Sequence, residues 1–216
     1  EMLPDEGVAQ AGASLQVFSR RCERGGRTGM EFGCGIPGTV GGAIWGNAGA
    51  WGGETMDNLI WLRGVDLKSG EAVERKKAEI VHRYRHTDLP DGLLIIEAGF
   101  RLEEGDPEDI LEQMDRMLLE RKASQPLSNR SSGCMFKNPP GTSAGLLIDQ
   151  AGCKGLSVGP VGVSEVHANF VVNQGGASAS DVLALVVQVR DRVRQASGVE
   201  LEMEVRVVGE GGFESH

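Results

Sequence analysis

The chain has 216 residues, of which 40% are hydrophobic and 25% are charged, a composition typical of a globular protein with a sizeable core. Its formal net charge is −9 and its longest Lys/Arg run is Arg75–Lys77, which argues against nucleic acid or an anionic membrane as the partner. The four cysteines form no CxxC pair, the histidines form no HExxH motif, and no apolar run has the length of a membrane span. We therefore expect a cytoplasmic protein without a metal site.

The first predicted element is a short amphipathic helix that begins after Ser14, a helix-capping residue, and stops at Gly25. One face of this helix carries the apolar residues Leu15, Phe18 and Cys22. The pattern predicts that this face packs into the core.

A Gly-rich stretch follows and reads "GCGIPGTVGGAIWGNAGAWGGE" over residues 33–54. It contains the spacing G-x-G-x-x-G at Gly33, Gly35 and Gly38. The dinucleotide-binding fingerprint needs a strand before this motif and a helix after it. No clean strand precedes it, and the six glycines among residues 39–53 argue against a helix after it. The motif is therefore not evidence for a Rossmann fold.

Two interpretations of the Gly-rich stretch remain open from the residues alone. The bare backbone could present amides to a flat or phosphorylated ligand, against an apolar wall. Alternatively, the stretch is a tightly turned core segment without a ligand. In the first interpretation the wall consists of Ile36, Val40, Ala43 and Ala48.

The middle of the chain predicts a β-hairpin over residues 58–76 and a strand over residues 93–102. The run "LLII" at the start of the second strand favours burial on both faces. Asp106 and Pro107 then start a helix with apolar residues at helical spacing, which Pro126 ends. We place the domain boundary at this change of pattern, between residues 1–104 and residues 105–216.

The C-terminal half has a β-α-β pattern. Residues 165–173 predict a strand, and residues 178–197 predict a helix that opens with Ser178 and Asp181 as a capping box. The strict alternation of residues 199–209 predicts a last strand, with Glu200, Glu202, Glu204 and Arg206 on one side.

Three residues are candidates for chemistry, each with an ordinary alternative. Arg85, beside Tyr84, suits a carboxylate or phosphate, but a solvated arginine on a loop has the same pattern. Cys134 follows Gly133 and is either a nucleophile, proton donor or redox group, or a buried inert thiol. Glu204 is one of several charges on one predicted face, and the residues alone do not select it from the others.

Seven segments occur in the order found in one enzyme family. They are "GIPGTVGGAIWGNAGAWGGE", "YR", "RKASQP", "SSGCMFKNP", "AGLLIDQAGCKG", "VSEVHANFVVN" and "LEMEVRVVG". Together they resemble the UDP-N-acetylenolpyruvoylglucosamine reductases of bacterial peptidoglycan synthesis, in the shorter of two subtypes. The resemblance extends from about residue 10 to residue 209.

The resemblance implies an α+β fold, in which the rest of a vanillyl-alcohol-oxidase-type FAD-binding domain (1–104) precedes a smaller α/β substrate-binding domain (105–216). It implies a monomer that uses FAD and NADPH to reduce the enolpyruvyl double bond of a UDP-sugar. The residues that it places along the FAD are Gly35, Ile36, Pro37, Gly38, Thr39, Val40, Gly41, Gly42, Asn47, Ala48 and Gly49.

The resemblance also assigns roles at the substrate. Arg85 and Glu204 match the residues that polarise the substrate carboxylate, and Cys134 stands where the family usually has a serine that donates a proton. A thiol is a stronger acid than a hydroxyl, so proton donation remains feasible. The residues matched to substrate binding are Tyr84, Arg121, Lys137 and Asn138.

Two departures from the family pattern weaken these expectations. The sequence starts at Glu1, after the subdomain whose Gly-Ser-Asn loop grips the FAD pyrophosphate in the family, and Trp51 replaces the usual tyrosine. We therefore expect a fragment of a longer enzyme. The alternative is a non-catalytic fragment that holds no cofactor.

Overall fold

A computed structural model describes residue 3, residues 5–209 and the backbone of residues 212–214. The chain divides into two compact units, Glu1–Arg121 and Lys122–His216. Within the described part of the chain, no helix combines the length and the apolar character needed to cross a membrane.

The first unit combines short helices with an antiparallel sheet. Its elements in chain order are β1 Glu6–Gln10, α1 Leu15–Arg24, β2 Arg27–Thr28, α2 Val40–Trp45, β3 Gly49–Ala50, β4 Gly53–Glu54, α3 Thr55–Asn58, β5 Leu59–Asp66, β6 Ala72–Lys76, β7 His82–Arg83, β8 His86–Thr87, β9 Leu93–Arg101, β10 Glu103–Glu104 and α4 Pro107–Ser124. Turns of 3₁₀-helix lie at Glu31–Gly35 and Lys77–Glu79.

The main sheet of this unit has the strand order β1-β9-β5-β6, and each neighbouring pair is antiparallel. Its core contains side chains from the sheet and from α1, α2 and α3. The largest of these that are fully buried are Phe100, Leu15, Met30, Ile44, Met56, Leu62 and Leu102.

Helix α1 confirms the first sequence prediction. The Ser14 hydroxyl accepts a hydrogen bond from the Val17 amide, as expected of a helix cap. The three predicted core residues, Leu15, Phe18 and Cys22, are all buried.

The β5–β6 hairpin confirms the second prediction, and β9 confirms the strand but not its burial. At the start of β9, Leu94 and Ile96 are 52% and 48% exposed. The expectation of burial on both faces was wrong because an antiparallel sheet needs only one covered face. The buried residues of the strand are Leu93 at its start and Ala98–Phe100 in its later half.

Helix α2 contradicts the expectation that the six glycines of residues 39–53 would prevent a helix. The helix has only six residues, and the Thr39 hydroxyl caps it by accepting the amide of Gly42. Val40, Ala43 and Ile44 are buried on one side. Tertiary packing therefore outweighs the poor helix propensity of glycine over so short a segment. The Rossmann reading is still excluded, since a 3₁₀ turn and not a strand precedes the helix.

Helix α4 confirms the helix predicted after Pro107. Its residues Ile110 and Met114 are buried with Cys34 of the 3₁₀ turn, and for this reason nearly all of α4 belongs to the first unit. The compact units accordingly divide after Arg121, later than the boundary drawn from the sequence between residues 104 and 105.

The second unit has its own sheet and core. Its elements are β11 Arg130–Cys134, α5 Ala144–Gln150, β12 Ser157–Val158, β13 Val161–Val163, β14 Phe170–Asn173, α6 Ala179–Ser197, β15 Val207–Gly209 and β16 Gly212–Glu214. The sheet has the order β11-β14-β13-β12 and is antiparallel throughout.

Helix α6 confirms the prediction for residues 178–197, including both bonds of the Ser178–Asp181 capping box and a left-handed Gly198 at its end. The strand predicted at residues 165–173 is confirmed only for β14. The strand predicted at residues 199–209 was mostly wrong. Before β15 it makes only an isolated bridge at Met203, to Phe136.

Candidate active site

The Gly-rich stretch exposes a short piece of backbone at Pro37, Gly38 and Thr39. Thr39 forms an isolated antiparallel bridge with Ser14, in which the Leu15 amide donates to Gly38 O and the Val40 amide donates to Ala13 O. In such a bridge the amide of Thr39 itself points away from the partner strand. Gly38 has φ +140, and a Cβ added there would meet no atom within 4 Å. At Gly38 the surface is therefore backbone without a side chain, next to open space.

Other glycines of the stretch are required by packing. A Cβ on Gly41 would lie 2.8 Å from the Cβ of Ala11, and one on Gly49 would lie 2.6 Å from the carbonyl oxygen of Gly53. A Cβ on Gly35 would lie 3.0 Å from the ring of Trp51 and 3.1 Å from the Cδ of Arg121. Close approach of the chain to itself therefore explains part of the glycine content.

The apolar wall expected from the sequence is only partly available to a ligand. Val40 and Ala43 are buried in the core of the first unit, at 0% and 5% exposure. Ile36 and Ala48 are half-buried at the margin of that core. Val40 and Ala43 thus support the loop from beneath and do not form an open wall.

Asn47 holds the end of this stretch to two other segments. It is fully buried, its Nδ2 donates to Arg83 O at 3.1 Å, and its Oδ1 accepts the Met56 amide at 3.1 Å. Its backbone is left-handed, with φ 43. The side chain therefore joins the Gly-rich stretch to the β7–β8 hairpin.

Tyr84 and Arg85 form the turn of that hairpin. Arg85 has φ 55, and its guanidinium donates to Gly49 O at 2.7 Å while stacking 4.8 Å from the centre of the Tyr84 ring. Arg85 is half-buried, so it is not a solvated loop arginine. The fold brings this candidate catalytic residue into contact with the stretch matched to the cofactor.

Cys134 lies at a β-bulge in the second unit. The register between β11 and β14 shifts between Ser131 and Cys134, and the intervening Gly133 has φ +84. Bulges of this kind redirect the side chains that follow them and are common beside active sites. Cys134 is half-buried, whereas Cys22, Cys34 and Cys153 are buried.

The three buried thiols have other environments. Burial raises the pKa of Cys22 to about 12, with a further contribution from the negative charge of Glu31. Burial likewise raises the pKa values of Cys34 and Cys153. These thiols stay protonated at neutral pH and serve as packing groups.

Glu204 is less exposed than its acidic neighbours Glu200 and Glu202. Glu200 forms ion pairs with Arg190 and Arg194, and Glu202 pairs with Lys137. Glu204 is half-buried, and its amide donates to Met135 O at 2.9 Å, one residue after Cys134. Within the second unit, Cys134 and Glu204 are thus on neighbouring, hydrogen-bonded segments.

The other residues matched to the substrate already have protein partners. Lys137 pairs with Glu202, and the exposed Asn138 accepts the Ala144 amide at 3.0 Å at the start of α5. Arg121 is half-buried, and its Cδ lies beside Gly35. Among the described residues, no group of three or more His, Cys, Asp or Glu side chains is placed to hold a metal ion.

A separate groove of about 470 Å³ lies beside β1 and α1. It is lined by Val8, Ala9, Gln10, Ala13, Val17, Phe18, Arg21 and Glu97, none of which is a predicted site residue.

The two units match two different family models. Residues 7–75 match the family model of the FAD binding domain, and residues 125–208 match that of the UDP-N-acetylenolpyruvoylglucosamine reductase C-terminal domain. The chain is 47% identical to the UDP-N-acetylenolpyruvoylglucosamine reductase of Rubrobacter xylanophilus, over 94% of this chain and 68% of that protein. The chain belongs to the UDP-N-acetylenolpyruvoylglucosamine reductase family.

A solved structure and a second relative support this assignment. The crystal structure of the reductase from Thermus caldophilus superimposes with a TM-score of 0.82 at 40% identity, covering 92% of this chain and 71% of that one. The reductase of Methylorubrum extorquens is 45% identical over 96% of this chain and 63% of its own length. The chain therefore spans roughly two thirds of these family members. The predicted family and fold class are confirmed.

One residue near the candidate site was missed in the sequence. Asn169 was included in a regular strand, but its buried side chain bonds to the backbone two residues after Cys134. The available signal was an amide side chain inside the apolar run "VHANFVV", because a buried amide needs partners for both of its polar ends.

Proposed function

We propose that this chain performs the reaction for which its family is named. NADPH and FAD would reduce UDP-N-acetyl-3-O-(1-carboxyvinyl)-glucosamine to UDP-N-acetylmuramate for the peptidoglycan of the cell wall. The observation that carries the proposal is the presentation of Cys134 at a β-bulge, with the Glu204 segment bonded to the next residue. In this proposal the protein is a cytoplasmic monomer, with FAD held by residues 1–104 and substrate by residues 105–216.

The first unit has features that suit a flavin. Pro37, Gly38 and Thr39 are exposed, Gly38 adjoins open space, and the Thr39 amide points outward from its bridge. Backbone amides of this kind can bind phosphate or ring heteroatoms without interference from side chains. Gly41 and Gly49 allow close approach of neighbouring backbone, and Gly35 allows close approach of the Trp51 and Arg121 side chains. Bound FAD, reduced by NADPH, would supply the hydride.

Arg85 and Glu204 would act on the substrate carboxylate. Addition of hydride to one alkene carbon leaves negative charge on the other carbon, delocalised into the carboxylate. A guanidinium stabilises that charge where it develops, and the bond from Arg85 to Gly49 O orients the side chain beforehand. Glu204 would assist by orienting the polar groups around the carboxylate.

Cys134 would complete the reduction. Its Sγ–H bond breaks as the proton passes to the carbon that carries the negative charge, and a new C–H bond forms. The resulting thiolate regains a proton from water. A thiol is a stronger acid than the serine hydroxyl usual at this position in the family, so it can serve as the proton donor.

The remaining matched residues would bind the UDP-sugar. Lys137 and Arg121 are cations suited to the diphosphate, and binding would require Lys137 to exchange Glu202 for phosphate. Tyr84 and Asn138 offer exposed polar groups to the sugar or nucleotide.

Substitution of Cys134 tests the proposal. We expect Cys134→Ser to keep turnover and Cys134→Ala to lose it by about 10²-fold or more, the usual effect of a general acid. Reduction of bound FAD by NADPH, followed by stopped-flow absorbance, should be unchanged in both variants. Normal turnover by Cys134→Ala would show that another group donates the proton.

The alternative candidate is a non-catalytic fragment that holds no cofactor. A titration of the purified chain with FAD separates the two functions. The catalytic proposal expects bound yellow flavin that NADPH bleaches. A colourless protein that takes up no FAD supports the fragment.

A further inference from the structure

The side chain of Asn169 completes the backbone hydrogen bonding of the segment after Cys134. Asn169 is 2% exposed. Its Oδ1 accepts the Phe136 amide at 2.9 Å, and its Nδ2 donates to Phe136 O at 2.8 Å. In a sheet, a neighbouring strand exchanges these two bonds through its backbone. Here a carboxamide takes the place of a peptide group.

This arrangement is needed because the sheet is irregular at this point. The bulge at Gly133 shifts the register, after which Cys134 pairs with Phe170 at the very start of β14. The next amide, that of Met135, donates to Asn169 O at 2.8 Å. Beyond it, β14 offers Phe136 no strand backbone, and the Asn169 side chain supplies both partners.

The same segment is bonded on its other side to the Glu204 region. The Glu204 amide donates to Met135 O at 2.9 Å, and the Lys137 amide donates to Glu202 O at 2.8 Å. The backbone that follows Cys134 is therefore fixed between Asn169 and the segment of Glu204. A displacement of Phe136 would therefore move both Cys134 and Glu204.

His167 holds Asn169 in turn. Its Nδ1 accepts the Asn169 amide at 3.2 Å, and its ring packs edge-on against Phe170 at 4.9 Å. Burial lowers the pKa of His167, so the ring is neutral at pH 7 and its Nδ1 can accept.

We propose that Asn169 is a positioning residue that holds Cys134 and Glu204 in place by clamping the backbone of Phe136. This inference rests on the roles proposed above for those two residues. Asn169 itself does not contact substrate in this proposal.

The test replaces the carboxamide with an acid of the same shape, Asn169→Asp. At pH 8 the carboxylate can still accept the Phe136 amide but cannot donate to Phe136 O, so the segment loosens. We expect Cys134 in the purified chain to react about tenfold faster with a pyridyl disulfide than in the parent protein, as for the loss of one hydrogen bond. Each labelled cysteine is identified by mass spectrometry.

Acidification should rescue this variant. A protonated carboxyl can donate one hydrogen bond and accept another, and burial raises the pKa of the introduced acid. The ratio of variant to parent rates should therefore fall back towards one as the pH is lowered.

Asn173→Asp is the matched control, because this residue ends β14, the strand that follows Asn169, and its side chain accepts a hydrogen bond from the Gly175 amide. The ratio of the Cys134 labelling rate in Asn173→Asp to that in the parent protein should stay at one at every pH. A rate for Asn169→Asp equal to the parent rate at every pH overturns the proposal. So does labelling of the buried Cys153 together with Cys134, since Asn169 would then support the whole unit.

Turnover provides a separate readout. In the FAD-loaded protein, Asn169→Asp should lower kcat at pH 8 and leave FAD reduction by NADPH unchanged. If the parent chain proves inactive while the thiol experiment succeeds, the positioning role stands and the proposed function fails. If turnover is normal in Asn169→Asp, the positioning role fails and the proposed function stands.

Discussion

Strained backbone is concentrated around the Gly-rich stretch. Among the described residues, the non-glycine residues with left-handed backbone are Asn47, Trp51 and Arg85. Asparagine tolerates this conformation, but tryptophan and arginine adopt it at a cost of about 1–3 kcal/mol each. Hydrogen bonds offset that cost, from Trp51 to Glu120 and from Arg85 to Gly49 O. Such strain persists where the surroundings hold a side chain in one orientation, as a binding site requires.

Asn47→Ala is the sharpest stability test at the residue scale. It leaves Arg83 O and the Met56 amide without the partner that Asn47 provides, and each such loss costs about 1–3 kcal/mol when buried. We expect the free energy of unfolding in urea to fall by about 3 kcal/mol. Asn58→Ala, which removes one bond to Gly29 O, should cost less. Equal losses in the two variants would contradict this account of Asn47.

At the scale of elements, local signals predicted helices and missed long-range effects. Caps and periodicity located α1 and α6 because those signals lie within the helix itself. Helix α2 was missed because burial of three side chains, and not propensity, sustains it. The prediction of a strand at residues 199–206 was wrong because an alternating sequence does not by itself provide a neighbouring strand to pair with. Only Met203 forms a bridge there. The bulge at Gly133 was not predictable for the same reason.

The candidate site was predictable only in part. The resemblance named Arg85, Cys134 and Glu204, but it did not say what holds them. The bond from Arg85 to Gly49 and the clamp at Asn169 depend on segments far apart in sequence. Glu204 could be separated from Glu200 and Glu202 only once burial was known, since Glu204 is half-buried and the other two are exposed.

The capping box of α6 predicts a pH dependence of stability. Hydrogen bonds from the Ser178 amide and hydroxyl lower the pKa of Asp181 below its ordinary value of 3.8. A carboxyl with a lowered folded-state pKa stabilises the fold above the unfolded-state pKa, and this is lost as the pH falls through the folded value. The free energy of unfolding of the second unit in urea should therefore decrease as the pH falls through 3.8 towards the lowered folded-state pKa of Asp181.

Asp181→Asn should remove that component of the pH dependence. Asp191→Asn is a suitable control, since Asp191 lies on the same helix but pairs at the surface with Arg194. The parent pH profile should be kept in the control. An unchanged profile in Asp181→Asn would show that the capping box does not titrate.

At the scale of the whole molecule, the two units have separate hydrophobic cores. The clusters of the first unit lie within residues 9–114, and the cluster of the second unit lies within residues 135–201. Cys22 is 1% exposed in the first core and Cys153 is 0% exposed in the second. Since the cores share no residue, each thiol reports the opening of its own unit.

A substitution in the core of one unit should therefore change the labelling rate of the thiol in that unit and not the rate of the other thiol. Val189→Ala removes a side chain that is 1% exposed in the second core, a change worth one or two kcal/mol. The labelling rate of Cys153 under native conditions should rise roughly 5–30-fold while that of Cys22 stays constant. Val187→Ala, at a 55% exposed position of the same helix, should change neither rate. If Val189→Ala accelerated both thiols equally, the two cores would have to open as one cooperative body.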